Sequence, residues 1–450
     1  MTIVAGLNRR YVVIGGALLF TIWLWVAFER PTSFPTSLPF TSGLADPKKD
    51  AFDYDALNSE PLKELCSKTE WNSNLVFTCD NNHGGVGHVR NSILNCVRYA
   101  MQAGASLVMP NIALRDIESY MIQNSGGQSH PQSHISRRHG PGRKGLEFMF
   151  DKQHFKKSLK RSCPQMKIVD EMDPFISTNR RGLAPESLFV NRPVSGPEHP
   201  EEWKSLFESW LDKNLPSALS NERLIVDLEQ SFLVYPIHAD GHPVAHVFGD
   251  MLKFRSDVRR LATSTLRRMS QWYDLDFDIS EPIIKHSYFG AHLRTNEANF
   301  IEKRHTADNP FETLEGQAEA YLKQASASKF TVMYVASGND SAIHRMALAA
   351  EPYKIAITHK ADLLNGAERD ELERLHWDQR AIVDYLVLLK STEFAGIGHS
   401  MLSWNVALKR QEYAHQMGSY EEIKQMWTDK QSTLYGTRRG YVESSVCMWP

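Results

Sequence analysis

Between residues 74 and 108 the sequence passes through a strand signal, a glycine turn, a helix signal and a second strand signal. That order leaves few folds open. "NLVFTC" (74–79) is apolar and rich in strand formers, and "DNNHGGVGH" follows as the turn. From Val89 the apolar residues fall at 89, 93, 96, 97, 100 and 101, which is helical spacing. Gly104 ends the helix, and "SLVMP" reads as the second strand. A strand–helix–strand unit of this length predicts a right-handed crossover and parallel pairing.

The same alternation returns in the second half. Strands are expected at 287–294, 330–338, 354–358 and 393–398, and helices at 312–326, 340–350, 366–390 and 400–417. The fold class is therefore α/β, with two Rossmann-like doubly wound domains facing a cleft, the GT-B architecture. The expected domains are 66–279 and 280–420, with 421–450 packing back across both. At 450 residues the chain is long enough for two cores.

The first 65 residues read differently. Tyr11–Phe28 is uncharged for eighteen residues, enough helix to cross a hydrocarbon core of about 30 Å. Arg9 and Arg10 precede it, so the positive-inside bias keeps residues 1–10 cytosolic and places the remainder in a lumen. Residues 29–65, rich in Pro, Ser and Thr at their start, are expected to form a flexible stem. The layout predicts a single-pass type II protein of the Golgi or endoplasmic reticulum, its membrane contact confined to 11–28. Five cysteines (66, 79, 96, 163, 447) suit one or two disulfides in an oxidising compartment, although spacing does not fix the pairing. Cys96, on the apolar face of a helix, is expected to be a buried free thiol.

A net charge of −2 with no basic stripe excludes nucleic acid as an expected partner. No metal site is expected either. Pro131 and Gly140 break the run of His130, His134 and His139, and Gly241-Pro243 interrupts His238, His242 and His246. "DYD" (53–55) falls in the stem, and "DLDFD" (274–278) lacks a glycine-rich strand end.

"GIGHSMLSW" (396–404) has the spelling of a nucleophile elbow, but Leu402 stands where the elbow requires Gly. His415, the only later histidine, lies on the same expected helix, so no Ser–acid–His triad can be assembled. The alternative is an anion cradle. Ser400 would open a helix whose first amides are unpaired, Ser403 would add a hydroxyl, and Gly396 and Gly398 would admit a ligand close to the backbone. In "GAHLR", His292 and Arg294 share a strand face, and a buried arginine there requires an anionic partner. A diphosphate is such a partner and needs no metal. Asp384, an acid within the apolar "AIVDYLVLL", is expected either to cap a domain contact or to accept the N–H groups of a guanine.

Five segments in order, "HGGVGHVRNSILNCVRYAMQAGASLVMPNI", "FDKQHFKKSLKRSCPQM", "YFGAHLRTNEAN", "MYVASGN" and "VDYLVLLKSTEFAGIGHSMLSWNVALKR", resemble the GDP-fucose protein O-fucosyltransferase family, particularly its fungal and plant branches. The resemblance covers about residues 74–410. It implies inverting, metal-independent transfer from GDP-fucose to a protein or glycan hydroxyl, with no cofactor. By position, Arg294 would neutralise the β-phosphate of departing GDP, and His292 and Asp384 would read guanine and ribose. Ser400, Met401 and Ser403 would hold the diphosphate, and the turn carrying Gly84, Gly85 and Gly87 would meet donor and acceptor. Relatives often place two hydroxyl residues and an aromatic where this chain has Ser400-Met401-Leu402, and Asn, Gln or Glu where it has Gly87-His88. A neutral His88 fits a general base toward an acceptor hydroxyl. Two other expectations stand beside this one: another GDP-sugar such as GDP-mannose as donor, or a catalytically silent binding protein of the same fold.

Overall fold

The computed structural model describes residues 50–114, 142–171, 179–189, 201–214, 223–231, 235–295, 310–413, 426–429, 431–436 and 447–450. The expected tail and anchor, most of the stem, and the cluster His130, His134 and His139 lie outside the described residues. Among the described residues no helix is long and apolar enough to cross a membrane.

Two sheets organise residues 50–450. The first contains β1 (Asn72–Thr78), β2 (Ala105–Val108), β5 (Ile168–Val169), β6 (Arg180–Leu183) and β7 (Leu224–Leu228) in the order β5-β2-β1-β7-β6, every pair parallel. A small antiparallel ribbon, β3 (Asn111–Ala113) with β4 (Arg143–Gly145), lies apart from it. Residues 143–145, just beyond the histidine run that Pro131 and Gly140 break, thus form a strand. The second sheet contains β8 (Phe289–His292), β9 (Val332–Ala336), β10 (Ala356–Thr358), β11 (Glu393–Ile397), β12 (Met426–Thr428) and β13 (Ser432–Tyr435). Its order is β10-β9-β8-β11-β13-β12, parallel except for the β12 edge. The central strands of the second sheet, β8, β9 and β11, are buried along nearly all their length, β9 entirely, as parallel sheets covered on both faces require.

The first crossover is the helix Val86–Ala103, ended by Gly104 at φ 63°, where a non-glycine residue would be strained. It is clamped to β1 by a Cys79–Cys96 disulfide, and a second disulfide joins Cys66 to Cys163. Cys96 is therefore paired, and the buried cysteine outside a disulfide among the described residues is Cys447. The helical face on which Cys96 sits packs against the end of β1, where Cys79 waits, so an apolar position and a disulfide position coincide.

The expected stem stops short of its predicted end. Residues 50–65 pack onto the first sheet's surround: Phe52 and Leu62 are buried, Ser59 caps the helix Glu60–Lys68, and Asp53 pairs with Lys253. The expected boundary at 279 also divides a packed unit. The helix Ser256–Trp272 lies against Trp377–Lys390, which covers the second sheet, with Arg268 of one paired to Glu368 just before the other. The predicted single helix over 366–390 is broken: Gly366–Arg374 ends at Leu375, and Trp377–Lys390 restarts under a His376–Gln379 capping box. At the far end, β13 extends the second sheet while Trp449 is buried against the first crossover helix, its indole donating to Asn95.

Candidate nucleotide-sugar cleft

A cavity of about 590 Å³ is lined by segments that leave the carboxyl ends of strands in both sheets. From the first sheet come His83–His88 after β1 and Gln230 after β7; from the second come Leu293–Thr295 after β8, Ser337–Asp340 after β9, His359–Ala361 after β10 and Ser400–Leu402 after β11. Open parallel sheets place ligands there because the crossover helices begin there, amino ends first.

Two such amino ends meet. The helix Val86–Ala103 starts at Gly85 with no side-chain cap, and Met401–Tyr413 starts behind Ser400. They abut at Gly87, where a β-carbon would stand 2.7 Å from the Met401 carbonyl oxygen. Gly84 is required for a different reason, since its φ of 109° turns the chain into the first helix. The His88 ring packs beside Gly84 and reaches the cleft wall.

Arg294 follows β8 and is anchored through its main chain: its N–H donates to Gln317 Oε1 at 3.0 Å, and Gln317 Nε2 donates to its carbonyl at 3.1 Å. Its guanidinium donates to the His399 carbonyl, one residue before Ser400. His292 Nδ1 lies 2.7 Å from Ser403 Oγ and 3.4 Å from Ser400 Oγ. Burial, with Arg294 and His399 nearby, pushes the His292 imidazole down to about 3, so it is neutral at physiological pH. His399 is held at about 4 for the same reasons, burial first and then Arg294.

Most expected site residues converge: Gly84, Gly85, Gly87, His88, His292, Arg294, Asp384, Ser400 and Met401 all line the cleft. Three expectations change in substance. Ser403 is fully buried beneath His292 rather than on the wall, so it orients the imidazole and is not placed to donate to a ligand. Gly396 makes room for that serine, because a β-carbon there would lie 2.5 Å from Ser403 Oγ. Asp384 neither caps a domain contact nor stands as a free acceptor. Its carboxylate takes a hydrogen bond from Lys360 Nζ at 2.5 Å and from Tyr334 Oη at 2.8 Å, within the second sheet's own surround.

Other lining residues were not singled out from the sequence. Trp377 lies over Gly338, where a β-carbon would stand 2.9 Å from the indole; Arg369 pairs with Glu373, and Arg380 donates to main-chain carbonyls of 373 and 375. The strand-end glycine in "ASGN" was the available signal for the first. Asn339-Asp340-Ser341 also has the spelling of an N-glycosylation triplet; Asn339 is exposed, its side-chain oxygen capping the helix Asp340–Ala350. Among the described residues no group of three or more acidic, histidine or cysteine side chains is arranged to hold a metal ion.

A cleft between two parallel sheets, with an arginine and two helix amino ends directed at it, defines a class: enzymes that bind a nucleoside diphosphate and move the group attached to it, glycosyltransferases here. The chain belongs to the GDP-fucose protein O-fucosyltransferase family, whose sequence model matches residues 75–413. It is a fucosyltransferase-type glycosyltransferase. Among solved structures it is similar to POFUT1 in complex with GDP-fucose, at 14% identity over 82% of this chain and 100% of that one, with a TM-score of 0.44. It is also similar to a mutant FUT1 of Arabidopsis thaliana in complex with GDP, at 11% identity over 78% of this chain and 71% of that one, with a TM-score of 0.36. No curated protein matches it in sequence.

Proposed function

We propose that the chain transfers fucose from GDP-fucose to a hydroxyl of a protein or glycan, with inversion at the anomeric carbon and without a metal ion, on a GT-B arrangement of its two sheets. The observation that carries this reading is the Gly87–Met401 contact, which sets two helix amino ends beside Arg294, the first with no side-chain cap and the second capped by Ser400, whose Oγ accepts from the Ser403 N–H. Amide N–H groups, the helix dipoles and a guanidinium stabilise charge that grows on a leaving diphosphate, most strongly when they are already in place. In the single displacement the acceptor oxygen forms a bond to the anomeric carbon as the carbon–phosphate-oxygen bond breaks. GDP departs with the electron pair, and the acceptor proton passes to His88. The neutral His292 ring, its Nδ1 turned to Ser403, presents its other edge to the nucleotide.

The test is thermal unfolding of the full chain with GDP, GDP-fucose, GDP-mannose and UDP-sugars, followed by GDP release. Ligand at about a hundred times its Kd stabilises the native state by about 2.7 kcal/mol. The reading expects shifts with GDP and GDP-fucose, none with UDP-sugars, loss of the shift in Arg294→Ala, and turnover unchanged by a chelator. A larger shift and turnover with GDP-mannose would reassign the donor; no shift with any of them would remove the donor site from this cleft.

The membrane anchor at 11–28 and a lumenal Golgi or endoplasmic-reticulum placement belong to the same proposal. Two buried disulfides accord with an oxidising compartment. Protease protection of residues 50–450 in sealed microsomes is the expected result, and cleavage without detergent would overturn it.

A further inference from the structure

A second cavity, about 180 Å³, shares no lining residue with the donor cleft. It lies where Ala51–Tyr54 crosses the helices Trp377–Lys390 and Met401–Tyr413. Its walls are aromatic and its charges uneven. Tyr54 and Tyr413 are 40% and 38% exposed, two of the few large apolar side chains so open among the described residues. Five cations line it, Arg90, Lys253, Arg259, Lys390 and Lys409, against two acids, Asp53 and Asp250.

Four of the five are matched. Lys253 pairs with Asp53 at 2.8 Å, Arg259 with Asp50 at 2.9 Å and Lys409 with Asp250 at 2.7 Å. Arg90 is held by the main-chain oxygens of Trp449 and Pro450, both at 2.6 Å. Lys390 differs. It is 5% exposed, its Nζ donates to the Glu281 carbonyl at 2.7 Å and lies 5.1 Å over the Phe52 ring, and no carboxylate is within ion-pair distance among the described residues. A buried ammonium whose direct contacts are a carbonyl and a ring, with its carboxylates beyond ion-pair distance, is under-compensated. Burial accordingly pushes its amine down to about 8, against the pull of Asp278, Glu281 and Asp50. The space beside it is the cavity.

We propose that this crevice is a second ligand site, for a small organic anion whose carboxylate or phosphate pairs with Lys390 while its body lies against Phe52, Tyr54 and Tyr413. The aromatic walls accept a ring face and the ammonium supplies the charge-assisted hydrogen bond. The site stands independently of the donor reading, because none of its residues touches the donor cleft.

Calorimetric titration of the full chain with benzoate and with phenyl phosphate tests it, alongside benzyl alcohol as the uncharged control. Saturable one-site binding of at least one anion is expected, with benzyl alcohol not binding. Lys390→Met should weaken that binding at least tenfold and Lys390→Arg should retain it, while Arg294→Ala leaves it unchanged. Acylation of the Lys390 amine, followed by peptide mass spectrometry on the wild-type chain, should slow when the anion is bound, a readout that does not depend on the variants folding. Binding abolished by Arg294→Ala but kept in Lys390→Met would place the anion in the donor cleft and overturn the proposal. So would absence of binding, or an acylation rate indifferent to both anions.

Discussion

Gly87 approaches the main chain of Met401 so closely that a β-carbon at 87 would stand 2.7 Å from the Met401 carbonyl oxygen and 2.9 Å from its carbon. The atoms opposed are backbone, so no side chain can swing away. Gly87→Ala must therefore part the two helix starts. We expect a loss of about 1–3 kcal/mol in stability, as overpacking costs elsewhere, and a fall in donor affinity larger than that of a comparable surface change. Denaturant midpoints and GDP titration of the same preparation check it.

Arg294 is fixed through its main chain by Gln317. Its removal should leave the fold intact while transition-state stabilisation is lost. Arg294→Ala is expected to lower the transfer rate by about 10²–10³-fold, the usual scale for one preorganised donor. Arg294→Lys should recover only part, because an ammonium cannot reproduce the fork. Steady-state kinetics against unchanged circular dichroism is the measurement.

Asp384 and Lys360 are both buried and joined to one another. Replacing the acid strands the ammonium in a low-dielectric setting. Asp384→Ala should cost about 3–5 kcal/mol, more than the double change that also makes Lys360 Met. Urea unfolding of the two single variants and the double gives the coupling directly.

His292 and His399 are held at about 3 and about 4, below the ordinary imidazole value of about 6.5. Between those limits the unfolded chain binds protons that the folded chain refuses. Stability is therefore complete above pH 6.5 and is lost as pH falls, by up to about 1.4 kcal/mol per pH unit for each ring. His292→Asn should remove about half of that slope between pH 6 and 4, read as the change in unfolding temperature.

The Cys66–Cys163 disulfide spans 97 residues and Cys79–Cys96 spans 17. On a chain-entropy account the longer loop contributes about 4.7 kcal/mol and the shorter about 3 kcal/mol. The double serine variant of the first pair should therefore unfold at lower temperature than that of the second. Calorimetry of both under non-reducing conditions decides it.

Much of this site was legible from local spelling. The strand–turn–helix around Gly84, Gly85 and Gly87, and the strand ends carrying His292, Arg294 and Ser400, all fall where periodicity and glycine punctuation place them. The short strands β5, β6 and β7 were not anticipated, because two to five residues carry too little pattern to stand out. Trp377 and Lys360 were likewise missed. Nothing within a few residues of Trp377 marks it as lining a cleft, and it arrives there because β9, some forty residues earlier, ends beside it; Lys360 follows the end of β10 by two residues, and that strand end was its only local signal.

What the sequence determined by itself was the order of elements, the parallel crossovers and the turn positions where only glycine fits, since these depend on neighbours within one or two turns of chain. The tertiary structure alone decided the partners: Cys96 with Cys79, Asp384 with Lys360, Ser403 beneath His292, and residues 50–65 against the folded body rather than in a stem. A buried charge, thiol or hydroxyl must find a partner, but which partner depends on packing between segments that stand from tens to hundreds of residues apart.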